Sequence, residues 1–393
     1  MLVNMEAAKL RRLPPYVFAR VNQLKANARQ EGRDVIDLGM GNPDAMPPPH
    51  VIEKVREVVL DPKAHGYSAS RGIPNLRRAV TQWYAKNYGV DLDPETEAVA
   101  VIGSKEGISH LTVAVLDPGD LVIVPSPSYP SHFYSIALAG ANLCVVPLTD
   151  EETLMRNLAE MIRKIYPRPK AVIVSYPNNP TTRTVELEFF HELARFARRT
   201  GVLVIHDFAY AEICYDGYRA PSFMQADGAK EVGVEIYSLS KTYSMAGWRI
   251  GFIVGNRHVV AALAKLKSYY DYGIFTPLQV AGIVALEGPQ EYVAENVKRY
   301  QKRRDVLISG MERIGWPVER PKGTLYVWAP LPDAYASMGS MDFSLMLLEK
   351  GDVACSPGVG FGDHGEGYVR FALVENEQRI AQAVRGIKKA LGA

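Results

Sequence analysis

The sequence predicts an α/β protein with a mostly parallel central sheet in a large domain and a smaller α+β domain behind it. Three observations carry that expectation. The chain has 393 residues, more than a single hydrophobic core usually supports. From about Ile52 to Leu286, short β-rich runs alternate with amphipathic stretches, the pattern of a sheet with helices on its faces. After about Gly288 the alternation gives way to one long helical stretch, two short strands and a final helix. The expected division is an N-terminal arm that also joins the small domain over 1–44, a large domain over 45–287, and the small domain over 288–393.

In chain order, the first forty or so residues form an arm packing elsewhere, and "GMGNPDAMPPPH" (39–50) is a loop entering the large domain. The strands of that domain are "AVAVIG" (98–103), "DLVIVP" (120–125), "LCVVPL" (143–148), "AVIVSY" (171–176), "VLVIHD" (202–207), "VEIYSLS" (234–240) and "GFIVG" (251–255). Most are continuously apolar, which suits strands covered on both faces. Connecting stretches such as "ELEFFHELARFARRT" (186–200) place apolar residues three and four apart, as helices packed on a sheet do. Beyond them, "EYVAENVKRYQKRRDVLISGMERIG" reads as a helix, "LYVWAPL" (325–331) and "YVRFAL" (368–373) as strands, and "ENEQRIAQAVRGIKKAL" as the closing helix.

Composition removes several function classes. Hydrophobic residues make up 47% and charged residues 22%, and the net charge is +2 with no basic block, so neither nucleic acid nor an anionic membrane is indicated. No apolar run approaches a membrane span, and "MLVNMEAAKLRRLPPYVF" lacks the apolar core and cleavage site of a signal peptide. Cys144, Cys214 and Cys355 are far apart and odd in number, and the eight histidines are scattered. A disulfide framework or a Cys/His metal site is not supported. The expectation is a cytoplasmic, metal-free globular protein.

Candidate chemistry falls at strand ends, where open α/β sheets bind ligands. "VIGSKEG" runs from a strand into a helix, and the free N–H groups of such a turn favour an anion; read alone, Ser104 is an ordinary N-cap. Asp207 ends a run that should be buried, so it either caps the next helix or, if ionised, requires a cationic partner. Tyr210 follows three residues on, and His206 reads as a packed or hydrogen-bonded neighbour. In "YSLSKTYSMAGWRIGF" (237–252), Lys241 sits among small, apolar and hydroxylated residues. An acid, an anion cradle and a dry lysine together describe what pyridoxal phosphate requires.

With S-x-S-K followed by G-W-R-x-G at 238–251, the chain resembles, nearly end to end, the class I/II pyridoxal-phosphate aminotransferases of fold type I. "LPPYVF", "DLGMGNPD", "HGYSASRGIPNLRRAV", "IGSKEGISHL", "MAGWRIGFIVGN" and "DYGIFTPLQVA" are similar to bacterial glutamate–pyruvate (alanine) aminotransferases, to which LL-diaminopimelate aminotransferases are related.

The resemblance implies the roles that follow. Lys241 forms the Schiff base and shuttles the proton, and Asp207 pairs with the pyridinium nitrogen. Tyr210 and Asn179 bond the ring oxygen, and Tyr129 stacks on the ring. The phosphate is held by Ser104 and Lys105 backbone groups, Ser238 and Arg249. Tyr67 reaches the phosphate of a neighbouring subunit, which implies a homodimer with shared sites. Arg370 clamps the substrate α-carboxylate, Asn179 and Gly41 also face the substrate, and Tyr16 helps to cover the site.

Two local features refine this picture. Thr182 stands where many relatives carry glycine, and a β-branched residue disfavours positive φ, so the turn is expected to differ there. No arginine occurs between Tyr269 and Pro277, where aspartate-specific relatives supply one for a distal carboxylate. The expected reaction is ping-pong transamination with alanine as donor and 2-oxoglutarate as acceptor. LL-diaminopimelate as donor, or another pyridoxal-phosphate reaction such as β-elimination, shares every cofactor contact. A ligand-sensing regulator would need an appended DNA-binding domain, and the residues before "IDLGMGNPD" show no such motif.

Overall fold

The computed structural model describes residues 5–14 and 17–392. Numbered in chain order, its strands are β1 (Ile36–Asp37), β2 (Ala98–Val101), β3 (Leu121–Ser126), β4 (Asn142–Pro147), β5 (Ala171–Ser175) and β6 (Leu203–Asp207). They continue with β7 (Gly233–Ser238), β8 (Gly251–Gly255), β9 (Tyr326–Pro330), β10 (Val353–Ala354), β11 (Ser356–Pro357) and β12 (Tyr368–Ala372).

The seven predicted runs form one sheet in the order β2-β8-β7-β6-β5-β3-β4. All pairings are parallel except those of β8, which runs against both β2 and β7. The fold class expected from the sequence is the one observed. The parity of the apolar runs explains their continuity. Ile123, Val172, Val174, Val204 and Phe252 join the core on one face, while Val122, Val124, Ile173, Ile205 and Ile253 join the core on the other. A strand covered twice must be apolar at odd and even positions alike.

The helix Leu187–Thr200 illustrates how a flank is attached. Phe189, Phe190, Leu193, Ala194, Phe196 and Ala197 are buried, and Gly201 closes it in the left-handed region at φ +75°. Each fully buried phenylalanine contributes about 1.5–3 kcal/mol.

The C-terminal part builds its own core around Leu307, Met311, Phe343, Phe371 and Ile387, joined by Tyr210 and Tyr215 from the large sheet's loops. Its antiparallel sheet has the order β11-β12-β9 and packs with the helices Glu291–Arg313, Ser340–Gly351 and Glu377–Leu391. The two-residue strand β1 pairs in parallel with β10, so the N-terminal stretch joins the C-terminal part. β1, β10 and β11 were not anticipated from sequence, because two-residue strands carry no periodicity to read.

Among the described residues, no helix is long and apolar enough to cross a membrane.

One expectation is corrected. Thr182 does not reshape its turn; it adopts φ +61°, the conformation glycine would take. Its N–H donates to the Asn178 carbonyl at 2.9 Å, and Asn178 Oδ1 accepts from Thr181 N at 3.0 Å and Thr181 Oγ1 at 2.7 Å. These bonds over-determine the turn and hold a β-branched residue in the left-handed region, at a cost on the order of 1–3 kcal/mol. Thr182→Gly is therefore expected to raise stability by about 1 kcal/mol, after the greater freedom of glycine in the unfolded chain is subtracted. The midpoint of urea unfolding measures it, and a lower midpoint contradicts the assignment of strain to this residue.

Candidate active site

The carboxyl ends of the parallel strands share one edge of the sheet, and the predicted residues follow them. Ser104 and Lys105 come after β2, Tyr129 after β3, Asn179 after β5, Asp207 at the end of β6, and Lys241 after β7. β8 explains Arg249. Because that strand is reversed, its amino-terminal end lies at the same edge, with Gly251 opposite both Val101 and Ser238. A cavity of about 690 Å³ opens there, lined by Gly41, Ser104, Lys105, Tyr129, Asn179, Asp207, Tyr210, Ser238, Lys241, Arg249 and Arg370.

One end is built for an anion. The helix Ser104–Val115 starts at Gly103, and no side chain caps it. Ser104 is thus the first helical residue and not the N-cap, which leaves first-turn N–H groups and the positive end of the helix dipole toward the cavity. Gly103 adopts φ +76°, and a Cβ on it would lie 2.1 Å from Arg249 Nη2. Only glycine lets the guanidinium approach this turn. Arg249 itself is left-handed at φ +56°, and its Nη1 donates to the Ala246 carbonyl at 2.8 Å. Ser238 caps the short helix Leu239–Thr242 by accepting from Ser240 N.

Lys241 and Asp207 each find a partner other than the opposite charge. Lys241 Nζ donates to the Gly41 carbonyl at 2.6 Å. Burial holds its pKa below the ordinary lysine value; Tyr326 opposes that shift, and Arg370 and Arg249 reinforce it. Asp207 Oδ2 lies 2.9 Å from His132 Nε2, and His132 Nδ1 lies 2.7 Å from Ser128 Oγ. An ionised carboxylate only accepts, so Nε2 carries the proton toward it, and Nδ1 is engaged by the Ser128 hydroxyl. Asp207 Oδ1 also accepts from Ala209 N at 3.2 Å, and residues 209–212 form turns, so Asp207 caps no regular helix.

Arg370 closes a ring of side chains. Its Nη1 donates to Asn179 Oδ1 at 2.6 Å, and Asn179 Nδ2 lies 3.4 Å from the Tyr210 hydroxyl. Tyr210 donates to the Tyr326 hydroxyl at 3.1 Å, and the Arg370 guanidinium carbon sits 3.9 Å from the Tyr326 ring centroid. Arg370 Nη2 also donates to the Gly39 carbonyl at 3.0 Å, whereas its buried Nε has no partner among the described residues. A Cβ on Gly41 would meet the Tyr326 hydroxyl at 2.1 Å, so glycine is required there too.

His132 and Tyr326 were missed from sequence. His132 lies in the helix Pro130–Leu138, and only the three-dimensional packing aims it at Asp207. Tyr326 becomes visible only through strand pairing: β9 pairs Trp328 with Arg370 and Tyr326 with Ala372, which places Tyr326 and Arg370 on one face. His206 is fully buried and bonds Glu235 at 2.7 Å, away from Asp207's partners.

Tyr67 does not line the cavity; it is 87% exposed and stacks on Tyr272 at 4.3 Å. Tyr16 lies outside the described residues. Glu106, His110 and Asp271 bring potential metal ligands within 4.8 Å of one another, but the buried Lys267 ammonium already bridges Glu106 and Asp271.

Residues 33–387 match the family described as Aminotransferase class I and II. The chain is 55% identical to the glutamate-pyruvate aminotransferase AlaC of Escherichia coli over 380 residues, 97% of this chain and 92% of that protein. It is 47% identical to the LL-diaminopimelate aminotransferase of Moorella thermoacetica over 387 residues, 98% of each chain. The substrate-bound structure of BacF from Bacillus subtilis superposes with a TM-score of 0.92 at 37% identity, covering 98% of each chain.

The lowered pKa of Lys241 has a consequence for the free protein. Below that value the ammonium is charged in folded and unfolded chains alike, and the folded state bears the whole desolvation cost. As pH rises toward the ordinary lysine value of about 10.4, the folded state releases its proton first and the cost fades. Without added ligand, Lys241→Met is expected to be more stable than the parent at neutral pH. The difference in urea midpoints should shrink as pH rises, and a pH-independent difference contradicts the assignment.

Proposed function

The chain belongs to the class I and II aminotransferase family, and on that premise we propose that it moves the amino group of alanine to 2-oxoglutarate with pyridoxal phosphate as cofactor. Its substrates are amino acids and 2-oxo acids, as for the family. The observation that carries the cofactor reading is the Gly103 cradle, where an uncapped helix start and the Arg249 guanidinium meet at a left-handed residue whose Cβ would displace that guanidinium. Around it, the cavity supplies an amine, a carboxylate and a second guanidinium, the donor set that this cofactor and an amino-acid carboxylate need.

When bound, pyridoxal phosphate supplies a ring that withdraws electrons from the substrate α-carbon. The Ser104 and Lys105 N–H groups, Ser238 and Arg249 would hold its phosphate. Asp207, fixed by His132, would face the ring nitrogen, Tyr129 the ring plane, and Asn179 and Tyr210 the ring oxygen. Lys241 would engage the aldehyde. Arg370 would present two N–H groups to the substrate carboxylate, backed by Asn179 and by the Gly39 carbonyl. Lys241 Nζ, freed when substrate arrives, would move the proton at the α-carbon; its lowered pKa makes it a competent base nearer neutral pH. The keto product leaves before the acceptor enters.

A homodimer belongs to the same reading. Tyr67, Tyr269, Tyr272 and Phe275 expose an aromatic patch, and a second copy covering it would receive Tyr67 near its own cavity.

The alanine assignment leans on the 55% identity to a protein named for glutamate and pyruvate. A second reading, LL-diaminopimelate as donor, leans on relatives of that name at 42–47% identity.

Two outcomes are expected. Protein loaded with pyridoxal phosphate shows a visible absorbance band that Lys241→Ala abolishes; a band unchanged in the variant removes the assigned lysine. A donor panel with 2-oxoglutarate, containing alanine, aspartate, aromatic amino acids and LL-diaminopimelate, gives the highest kcat/KM for alanine. A higher value for diaminopimelate overturns the donor.

A further inference from the structure

Of the four side chains in the closed ring at Arg370, three have roles in the reading above, and Tyr326 has none. Its placement is not incidental. Tyr326 is 3% exposed, and its strand β9 brings it to the cavity from the C-terminal sheet. Ring and hydroxyl face different partners. The ring lies under the Arg370 guanidinium at 3.9 Å, with Phe361 near the same guanidinium at 4.5 Å. The hydroxyl accepts from Tyr210 and abuts Gly41, whose carbonyl takes the Lys241 ammonium.

We propose that Tyr326 is a positioning residue for transamination with two separable parts: its ring fixes the Arg370 guanidinium that receives the substrate carboxylate, and its hydroxyl fixes the Tyr210 phenol. The ring is an aromatic shelf for a planar cation whose Nη1 is already directed by Asn179. Without it, Arg370 keeps its hydrogen bonds at one edge and its looser contact with Phe361, and loses the nearer of the two rings that set its plane. The hydroxyl acts on a different atom. It receives the Tyr210 proton, and so decides how that phenol is shared between Tyr326, Asn179 and a ligand in the cavity.

The electrostatics agree with that direction of donation. Burial alone would raise the Tyr326 pKa, but Arg370, Lys241 and the Tyr210 hydrogen bond outweigh it and hold the phenol below its ordinary value. Burial, with the neighbouring Tyr326, pushes Tyr210 well up. Of the two phenols, Tyr210 releases its proton less readily, and it is the donor in the hydrogen bond between them. The titratable groups facing the pair are Arg370, Lys241 and Tyr129.

The inference rests on the pyridoxal-phosphate reading, and the experiment separates the two. Wild type, Tyr326→Phe and Tyr326→Leu, each loaded with pyridoxal phosphate, are titrated for the pH midpoint of the visible band. Each is then titrated calorimetrically with propionate, a carboxylate that cannot react. Phenylalanine keeps the ring, so Tyr326→Phe is expected to bind propionate as the wild type does. Its band midpoint should be displaced by about half a pH unit or more, the scale of one net hydrogen bond. Tyr326→Leu is expected to bind propionate about three- to thirtyfold more weakly, the scale of a desolvated cation–ring contact. An unmoved midpoint in Tyr326→Phe overturns the role of the hydroxyl. Propionate binding lost in Tyr326→Phe overturns the division between ring and hydroxyl, and this arm stands even if the leucine variant does not fold. A wild type without a visible band refutes the cofactor reading instead.

Discussion

Lys241 donates to the Gly41 carbonyl at 2.6 Å, Asp207 is met by the His132 ring, and Arg370 spends its guanidinium on an amide oxygen and a carbonyl. Arg249 likewise bonds carbonyls. Three cavity-lining cations and a carboxylate in partly dry surroundings would ordinarily collapse into ion pairs, since attraction strengthens as water is excluded. Here neutral partners keep them apart. The cost is modest, because a hydrogen bond satisfies each group without cancelling its charge. What survives is a set of charges still available to a ligand carrying complementary ones.

The fold produces that arrangement by edge geometry. Parallel strands deliver their carboxyl ends to one side, and the reversal of β8 adds Arg249 from a strand's beginning. Arg370 and Tyr326 come from β12 and β9, over a hundred residues away in sequence from Asp207. The N-terminal stretch is brought in by β1 against β10, and the Ser356 hydroxyl donates to the Gly39 carbonyl at 2.7 Å. The backbone at Gly39 and Gly41 thus joins Arg370 on one side and Lys241 on the other. Apolar parity on the two sheet faces keeps the strands in register, and a register slip would move every side chain at the edge.

What the sequence made legible follows the same physics. Lys241, Asp207, Asn179, Ser104 and Arg249 stand out because a polar residue closing an apolar run is conspicuous, and strand ends are where open sheets bind. Arg370, inside the run "YVRFAL", was named from the family resemblance. Tyr326 did not stand out, since an aromatic residue in a strand is unremarkable until the pairing of β9 with β12 is known. His132 did not, because its helix phase says nothing about a carboxylate 75 residues later. The two-residue strands were beyond reach of any periodicity. Thr182 is the instructive miss: local preference argued for a different turn, and the hydrogen bonds from Thr181 and Thr182 to Asn178 overrode it.

The central claim is that one amine, Lys241, is held among neutral partners so that it can bond the cofactor aldehyde. Borohydride reduction of the protein loaded with pyridoxal phosphate, followed by peptide mass spectrometry, tests this most directly. The account predicts a pyridoxyl group on the peptide containing Lys241. A label confined to Lys105, Lys25 or another lysine, with Lys241 unmodified, would contradict it.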